Sequence, residues 1–350
     1  MTKQFPVPLQ PGDHVGLITP STAVRTDVLN AAVAAVDNMG LVPIISQATR
    51  RASRLFTAAQ DDKIEGLLPQ LTPAERAEYR DYTANGYSAG DPQLRARDIN
   101  NFFANPEIKG IFCLRGGFSS STVMPYLDYD LIAAHPKIIL GYSDETNIIN
   151  GIYRHTGLVT YHAPMPAPNL TRDNMLDSGE PDDYSYDYFD EFILGDWTNV
   201  KLRNPVDIPL RTISGGIAVG EIVGGNLQTL SDAVGTDYFP DTDGKILFIE
   251  EIKTHIPLCD LAWNHLKNAG VFNKIAGLIV GDFTKCLNFS GDYHFRDYEI
   301  NELERVWFKD INCPTIAGLK VGHEKETVTI PIGAKCRLNA DAKTIEVYHE

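Results

Sequence analysis

Short apolar runs alternate with longer stretches of helical spacing through the first half of the chain. HVGLITP (14–20) reads as a buried strand that ends in a Pro-Ser turn. TDVLNAAVAAVDNMG (26–40) carries its apolar residues at helical intervals and stops at Gly40. VPIIS (42–46) is a second strand, and DPQLRARDINNFFANP (91–106) a helix capped by Asp91 and ended before Pro106. IKGIFCL (108–114) and KIILGYS (137–143) are further strands, the second leading into a helix that begins near Asp144. Alternation of this kind predicts a mostly parallel sheet with helical crossovers.

The rhythm breaks over 164–198, where nine acids face a single base, Arg172, among repeated Pro, Asn and Gly. This stretch reads as an interdomain linker, a lid or a solvated excursion. After 205 the texture is β-rich: GIAVGEIVGG, KILFIEEI, IAGLIVGDF and TIPIGAKCRLNADAKTIEVY, with one helix near 259–270. The pattern therefore predicts an α/β domain over 1–165, an acidic linker or lid over 166–205, and a smaller β-rich domain over 206–350.

Composition narrows the function classes. A chain of 350 residues with 43% hydrophobic and 22% charged residues can build two cored domains. Its net charge of −15 argues against nucleic acid or anionic lipid as the main partner, leaving a small ligand in a locally basic pocket. Five scattered cysteines without a C-x-x-C pair suit reduced thiols, and no stretch has the length of an apolar membrane span. The expectation is a cytoplasmic protein.

Candidate chemistry centres on LRGGFSSSTVMPYLDYD (114–130), a strand followed by Gly-Gly and three serines. Such a turn can present a serine hydroxyl and free backbone N–H groups at a sheet edge. It can equally bind an anion without chemistry, or be a turn of no chemical consequence. A serine nucleophile needs a base and a group that orients the base. His162 in VTYHAPM and His323 in KVGHEKE follow strand-like runs at domain edges, while KILFIEEI ends in Glu250 and Glu251. Strand alternation would aim one of those carboxylates at a site and the other away.

Taken together, these segments resemble the LD-carboxypeptidase family of serine peptidases, which includes murein tetrapeptide carboxypeptidases and microcin C immunity proteins. LQPGDHVGLITPST, the helix and strand up to RGG, GGFSSSTVMPYLDYD, PKIILGYSDETNI, GLVTYHAPM, GGNLQTLSDAVGT, GKILFIEEI and GHEKETVTIPIG occur in the family's order across roughly residues 10–345. The resemblance implies an N-terminal Rossmann- or flavodoxin-like parallel-sheet domain and a smaller β-rich C-terminal domain. It implies a Ser–Glu–His triad of Ser120, Glu250 and His323, split across both domains, with backbone N–H groups of Gly117 and Ser121 holding the oxyanion. Ser143 in GYSDET is a rival nucleophile, but its neighbour Asp144 reads as a helix cap. Asn226 in GGNL is the candidate for binding a substrate carboxylate.

The resemblance also implies a cofactor- and metal-independent hydrolase that works as a homodimer on a small peptide or peptidyl-nucleotide. One branch releases D-alanine from murein tetrapeptide during cell-wall recycling; the other cleaves an aspartyl-nucleotide amide and confers immunity. Arg115 in RGG resembles the first branch. Trp197 would stack on a nucleobase in the second, or pack between domains in either. Outside catalysis, the same turn would suit a binding module for a small anionic metabolite.

Overall fold

A computed structural model of the protein describes residues 2–64, 87–170, 183–288 and 299–350. Five strands, β1 (His14–Ile18), β2 (Val42–Ile45), β3 (Ile108–Cys113), β4 (Ile138–Gly141) and β5 (Thr160–His162), make a parallel sheet in the order β2-β1-β3-β4-β5. Its central strands are nearly continuous apolar runs because helices cover both faces. The helix Thr26–Asn38 buries Leu29, Ala32 and Val36, a single stripe at helical spacing. Pro92–Ala104 begins where the Asp91 carboxylate accepts the Gln93 N–H at 2.8 Å, with Pro92 filling a first-turn position that needs no N–H.

The second sheet uses β6 (Asn199–Leu202), β7 (Arg211–Ser214), β8 (Ile217–Asn226), β9 (Ile246–Ile252), β10 (Gly277–Thr284), β11 (Thr315–Ala317), β13 (Lys335–Asn339) and β14 (Thr344–Tyr348). Their order is β6-β14-β13-β8-β9-β10-β11-β7, with a parallel centre of β8 to β11 and antiparallel flanks. The remaining strand, β12 (Ile330–Ile332), leaves this sheet and pairs antiparallel with β5, Ile330 opposite His162. A segment expected in the second domain thus completes the first sheet. The loop 318–329 has to cross from one sheet to the other, and it carries His323.

A second tie runs the opposite way. Helix Thr146–Thr156, which follows β4, reaches β8 through Asn150, whose Nδ2 donates to the Gly224 carbonyl at 2.8 Å while its Oδ1 accepts the Gly224 N–H at 3.1 Å. Thr146 Oγ1 accepts the Asn226 N–H at 3.1 Å. Buried polar groups satisfied this completely fix the two sheets relative to each other. One continuous apolar core runs through both.

The described part of the acidic stretch is no solvated excursion. Helix Asp183–Phe189 buries Tyr188 and Phe189, and Phe192 and Trp197 follow them into the core. Ser185 donates to the Lys325 carbonyl and accepts the Thr327 N–H, both at 2.9 Å, so this segment holds the crossing loop beside His323. Residues 171–182, the middle of the expected lid, and His294 lie outside the described residues.

Candidate active site

The end of β4 makes a sharp turn into a helix. Tyr142 is extended, whereas Ser143 adopts φ +65°, a left-handed conformation that is unfavourable for a residue with a side chain. The helical run Ser143–Glu145 then continues into Thr146–Thr156. Such a strained strand-to-helix turn pushes a side chain out above the sheet's C-terminal edge. The Ser143 hydroxyl makes no hydrogen bond among the described residues and lines a cavity of about 440 Å³.

The first glycine of the Gly-Gly pair that follows β3, Gly116, is required by Ser143. A Cβ at this position would lie 2.8 Å from Ser143 Cβ and 2.9 Å from Ser143 Oγ, closer than any such contact can be. The glycine makes room for a serine delivered by the neighbouring strand. The N–H groups of Gly117 and Asp144 flank the cavity and are taken by no hydrogen bond among the described residues.

Glu250 and His323 meet from opposite directions. Glu250 sits near the C-terminal end of β9, and His323 on the crossing loop, with Nδ1 2.7 Å from Glu250 Oε2. Gly322 makes that approach possible: it has φ +134°, and a Cβ there would press to 2.9 Å from Glu250 Oε2. Both side chains are buried. Burial alone would raise the Glu250 carboxyl, but the His323 charge and hydrogen bond, with the nearby His162 ring, outweigh it and hold the carboxyl at about 2, so it is an anion. His162 lies behind, Nε2 3.9 Å from Glu250 Oε1, and does not line the cavity.

His323 lines the same cavity as Ser143, and its ring centroid is 4.7 Å from that of Tyr142, the residue before the strained serine. Arg115, Asn226, Glu251, Lys253 and Asp232 are among the other polar residues of its wall. Asn226 ends β8 directly opposite Glu250 in the register. Its Oδ1 caps the next helix by accepting the Thr229 N–H at 3.1 Å, and its Nδ2 donates to Glu251 Oε1 at 2.9 Å. Glu251 therefore fixes which way the Asn226 amide faces. Sequence reasoning passed over Lys253, Tyr142 and Phe118 in this wall; only their places beside Glu250, Ser143 and Gly117 signalled them.

Four expected site roles differ in the structure. Ser120 is fully buried and does not line the cavity. Its Oγ donates to the Asp144 carbonyl at 2.5 Å and its N–H donates to Asp144 Oδ2 at 2.8 Å, which makes it a brace under the Ser143 turn. Ser121 belongs to the same short 3-10 turn, Ser120–Thr122, and is likewise absent from the cavity wall. Asp144, expected to cap a helix, spends its carboxylate on that brace. Trp197 is core: its ring packs edge-on against Phe192 at 5.0 Å, Phe5 at 5.8 Å and His349 at 5.1 Å.

A family model of the LD-carboxypeptidase N-terminal domain matches residues 64–163, and one of the C-terminal domain matches residues 219–338. A probable murein peptide carboxypeptidase of Bacillus subtilis is 30% identical over 97% of this chain and 92% of its own length. The chain belongs to the LD-carboxypeptidase family. The Microcin C7 self-immunity protein MccF of Escherichia coli, another relative, is 31% identical over 75% of this chain and 80% of that protein. Among solved structures, MccF in complex with glutamyl sulfamoyl guanosine superimposes with a TM-score of 0.77 at 24% identity, covering 99% of this chain and 98% of that one. Muramoyltetrapeptide carboxypeptidase from Oxalobacter formigenes gives 0.70 at 24% identity, covering 95% and 97%. These likenesses place the two-sheet α/β fold within the LD-carboxypeptidase architecture. Among the described residues no helix is long and apolar enough to cross a membrane.

Proposed function

We propose that this LD-carboxypeptidase family member is a serine carboxypeptidase that releases D-alanine from murein tetrapeptide, with Ser143 in place of Ser120 as nucleophile. One observation carries this reading: the strained, unbonded Ser143 and the Glu250-paired His323 line one cavity between the two sheets. In the proposed cycle Ser143 Oγ attacks the carbonyl carbon of the L,D bond and His323 takes the hydroxyl proton. The Nδ1–H of His323 donates to the Glu250 carboxylate, which fixes the tautomer and stabilises the imidazolium. The N–H groups of Asp144 and Gly117 receive the tetrahedral oxyanion, each contributing about 3–4 kcal/mol in sites of this kind. His323 then protonates the departing D-alanine amine, and water, activated by the same histidine, resolves the acyl-enzyme.

A substrate that ends in a carboxylate would meet Arg115 and Lys253, the two cations of a wall that also carries Asp144, Asp232 and Glu251, and the Asn226 amide that Glu251 holds in a fixed orientation. A second reading, cleavage of a peptidyl-nucleotide amide, has one observation in its favour. Phe118 lines the cavity yet is 70% exposed, its ring edge-on to Tyr87 at 6.1 Å, and so offers a face for stacking. Trp197 no longer supports that reading, because its ring is in the core. Mass spectrometry of products from an L,D-linked tetrapeptide and from an aspartyl sulfamoyl-adenosine separates the two. Loss of D-alanine from the first is expected; exclusive cleavage of the second would replace the murein reading.

A further inference from the structure

Beneath the Ser143 turn, Ser21 bridges two carboxyl groups. Its Oγ lies 2.6 Å from Asp144 Oδ2 and 2.6 Å from Glu145 Oε1. A serine hydroxyl has one hydrogen, so it donates to one of these oxygens only. The other short contact requires a proton on the carboxyl itself. Two carboxylates could not both sit at that distance from a single hydroxyl without one oxygen facing bare lone pairs.

The surroundings decide which carboxyl holds the proton. Burial raises the Asp144 carboxyl too, but its Oδ2 receives the Ser120 N–H at 2.8 Å, the Arg95 charge opposes burial, and Asp144 reaches the cavity wall, all of which favour its anion over that of Glu145. Glu145 is wholly buried, and its Oε2 has no hydrogen-bond partner among the described residues. Burial first, and the neighbouring Asp144 second, push its carboxyl well above the ordinary 4.5, while Arg115 opposes them from beyond hydrogen-bond range. The other titratable groups facing it are Tyr142 on the turn and Cys113 at the end of β3, both raised chiefly by burial and so neutral.

We propose that Glu145 is a carboxylic acid in the working protein and serves as a positioning residue for the nucleophile turn. Its O–H donates to Ser21 Oγ, the Ser21 O–H donates to the Asp144 carboxylate, and that carboxylate holds the Ser120 N–H. The chain of donors pins both residues that follow Ser143 to the loop after β1. Glu145 also backs onto the cavity glycine: a Cβ on Gly116 would lie 3.2 Å from Glu145 Oε2 and 2.9 Å from Ser143 Oγ. An ionised Glu145 would leave Ser21 facing two anions and loosen the turn. The catalytic consequence rests on Ser143 being the nucleophile; the protonation state does not.

The test compares wild type with Glu145→Gln, whose amide can donate to Ser21 without titrating. In wild type the folded state binds a proton that the unfolded state gives up above its ordinary carboxyl range, so folding stability falls as pH rises through that window. The gap in urea midpoint between Glu145→Gln and wild type should therefore widen in favour of the variant from about pH 5 to about pH 8. Infrared difference spectra at neutral pH should show a protonated-carboxyl C=O band in wild type that is missing in Glu145→Gln. Glu145→Ala should lower kcat about 10-fold or more with KM kept, and Glu145→Gln should restore most of it. A gap that does not change with pH, or absence of the acid band, overturns the proposal even if Glu145→Ala fails to fold. Full activity in Ser143→Ala would instead remove the catalytic reading and leave these two measurements to decide Glu145.

Discussion

Gly116→Ala probes the tightest geometric demand of the site. The added Cβ would stand 2.8 Å from Ser143 Cβ and 2.9 Å from its Oγ, where unstrained carbon contacts need about 3.5–4.0 Å. Relief requires the Ser143 turn and the Gly116 loop to separate by about 0.7–1 Å. The turn has little freedom to give way. Ser143 already occupies φ +65°, and the residues after it are tied to Ser120 and Ser21. Overpacking of this kind costs about 1–3 kcal/mol of stability. A nucleophile displaced by about 1 Å loses about 10²-fold in kcat, equivalent to about 2.7 kcal/mol of barrier. The assay is D-alanine release under saturating tetrapeptide, with KM and a urea midpoint measured on the same preparation. Low kcat with near-normal KM in a folded protein is expected. A folded Gly116→Ala enzyme with wild-type kcat would refute the claim that this glycine clears space for the reacting serine.

Four further outcomes follow from the same geometry. Glu250→Gln leaves the His323 Nδ1 without its carboxylate and should lower kcat by about 10³–10⁴-fold, read from single-turnover rates. Because the folded-state Glu250 carboxyl is held at about 2 against an ordinary 4.5, its contribution to stability is present above that ordinary value and is lost as pH falls toward 2. Acid titration of the urea midpoint should thus fall more steeply in wild type than in Glu250→Gln. Arg115→Ala should raise KM about 10-fold while kcat is largely kept, since the side chain lines the cavity without a bonded partner among the described residues. Trp197→Phe should leave kcat and KM unchanged and cost about 1–2 kcal/mol in urea, because the ring is core and not cavity wall.

Periodicity made the parallel sheet legible. The helices at 26–38 and 92–104 and the strands at 108–113 and 138–141 carry their own burial pattern, so each could be read without its neighbours. The strands β8 to β10 were equally plain. The three-residue β12 was not: TIPIG runs on into the β13–β14 hairpin, and nothing local reveals that it pairs with a strand some 170 residues earlier. Long-range antiparallel pairing leaves no mark on a short apolar run.

The serine shows a different limit. Gly-Gly followed by serines has the composition of a nucleophile turn, but local reading left its role open, and Ser120 was assigned through the register of the family resemblance. Gly116 serves a serine at the end of the next strand, a relation that exists only once β3 and β4 lie side by side, whereas Gly117 makes room for Thr22. KIILGYSDET did contain the usable signal, a buried strand running into a small residue and then a helix. Its Asp144 looked like a cap because an Asp at a helix start usually is one. Strand ends offered Glu250 or Glu251 and His162 or His323, the resemblance chose Glu250 and His323, and these two lie 2.7 Å apart. Trp197 was left between nucleobase stacking and packing, and only the core around its ring decides for packing.

The most direct test of the account is D-alanine release from L,D-linked tetrapeptide by Ser143→Ala and Ser120→Ala side by side, each shown to fold. Ser143→Ala should lose about 10³-fold or more in kcat. Ser120→Ala, which gives up one brace to the Asp144 carbonyl, should lose about 1 kcal/mol of stability and keep most of its activity. The reverse pattern, an active Ser143→Ala and a dead but folded Ser120→Ala, would contradict the assignment of the nucleophile.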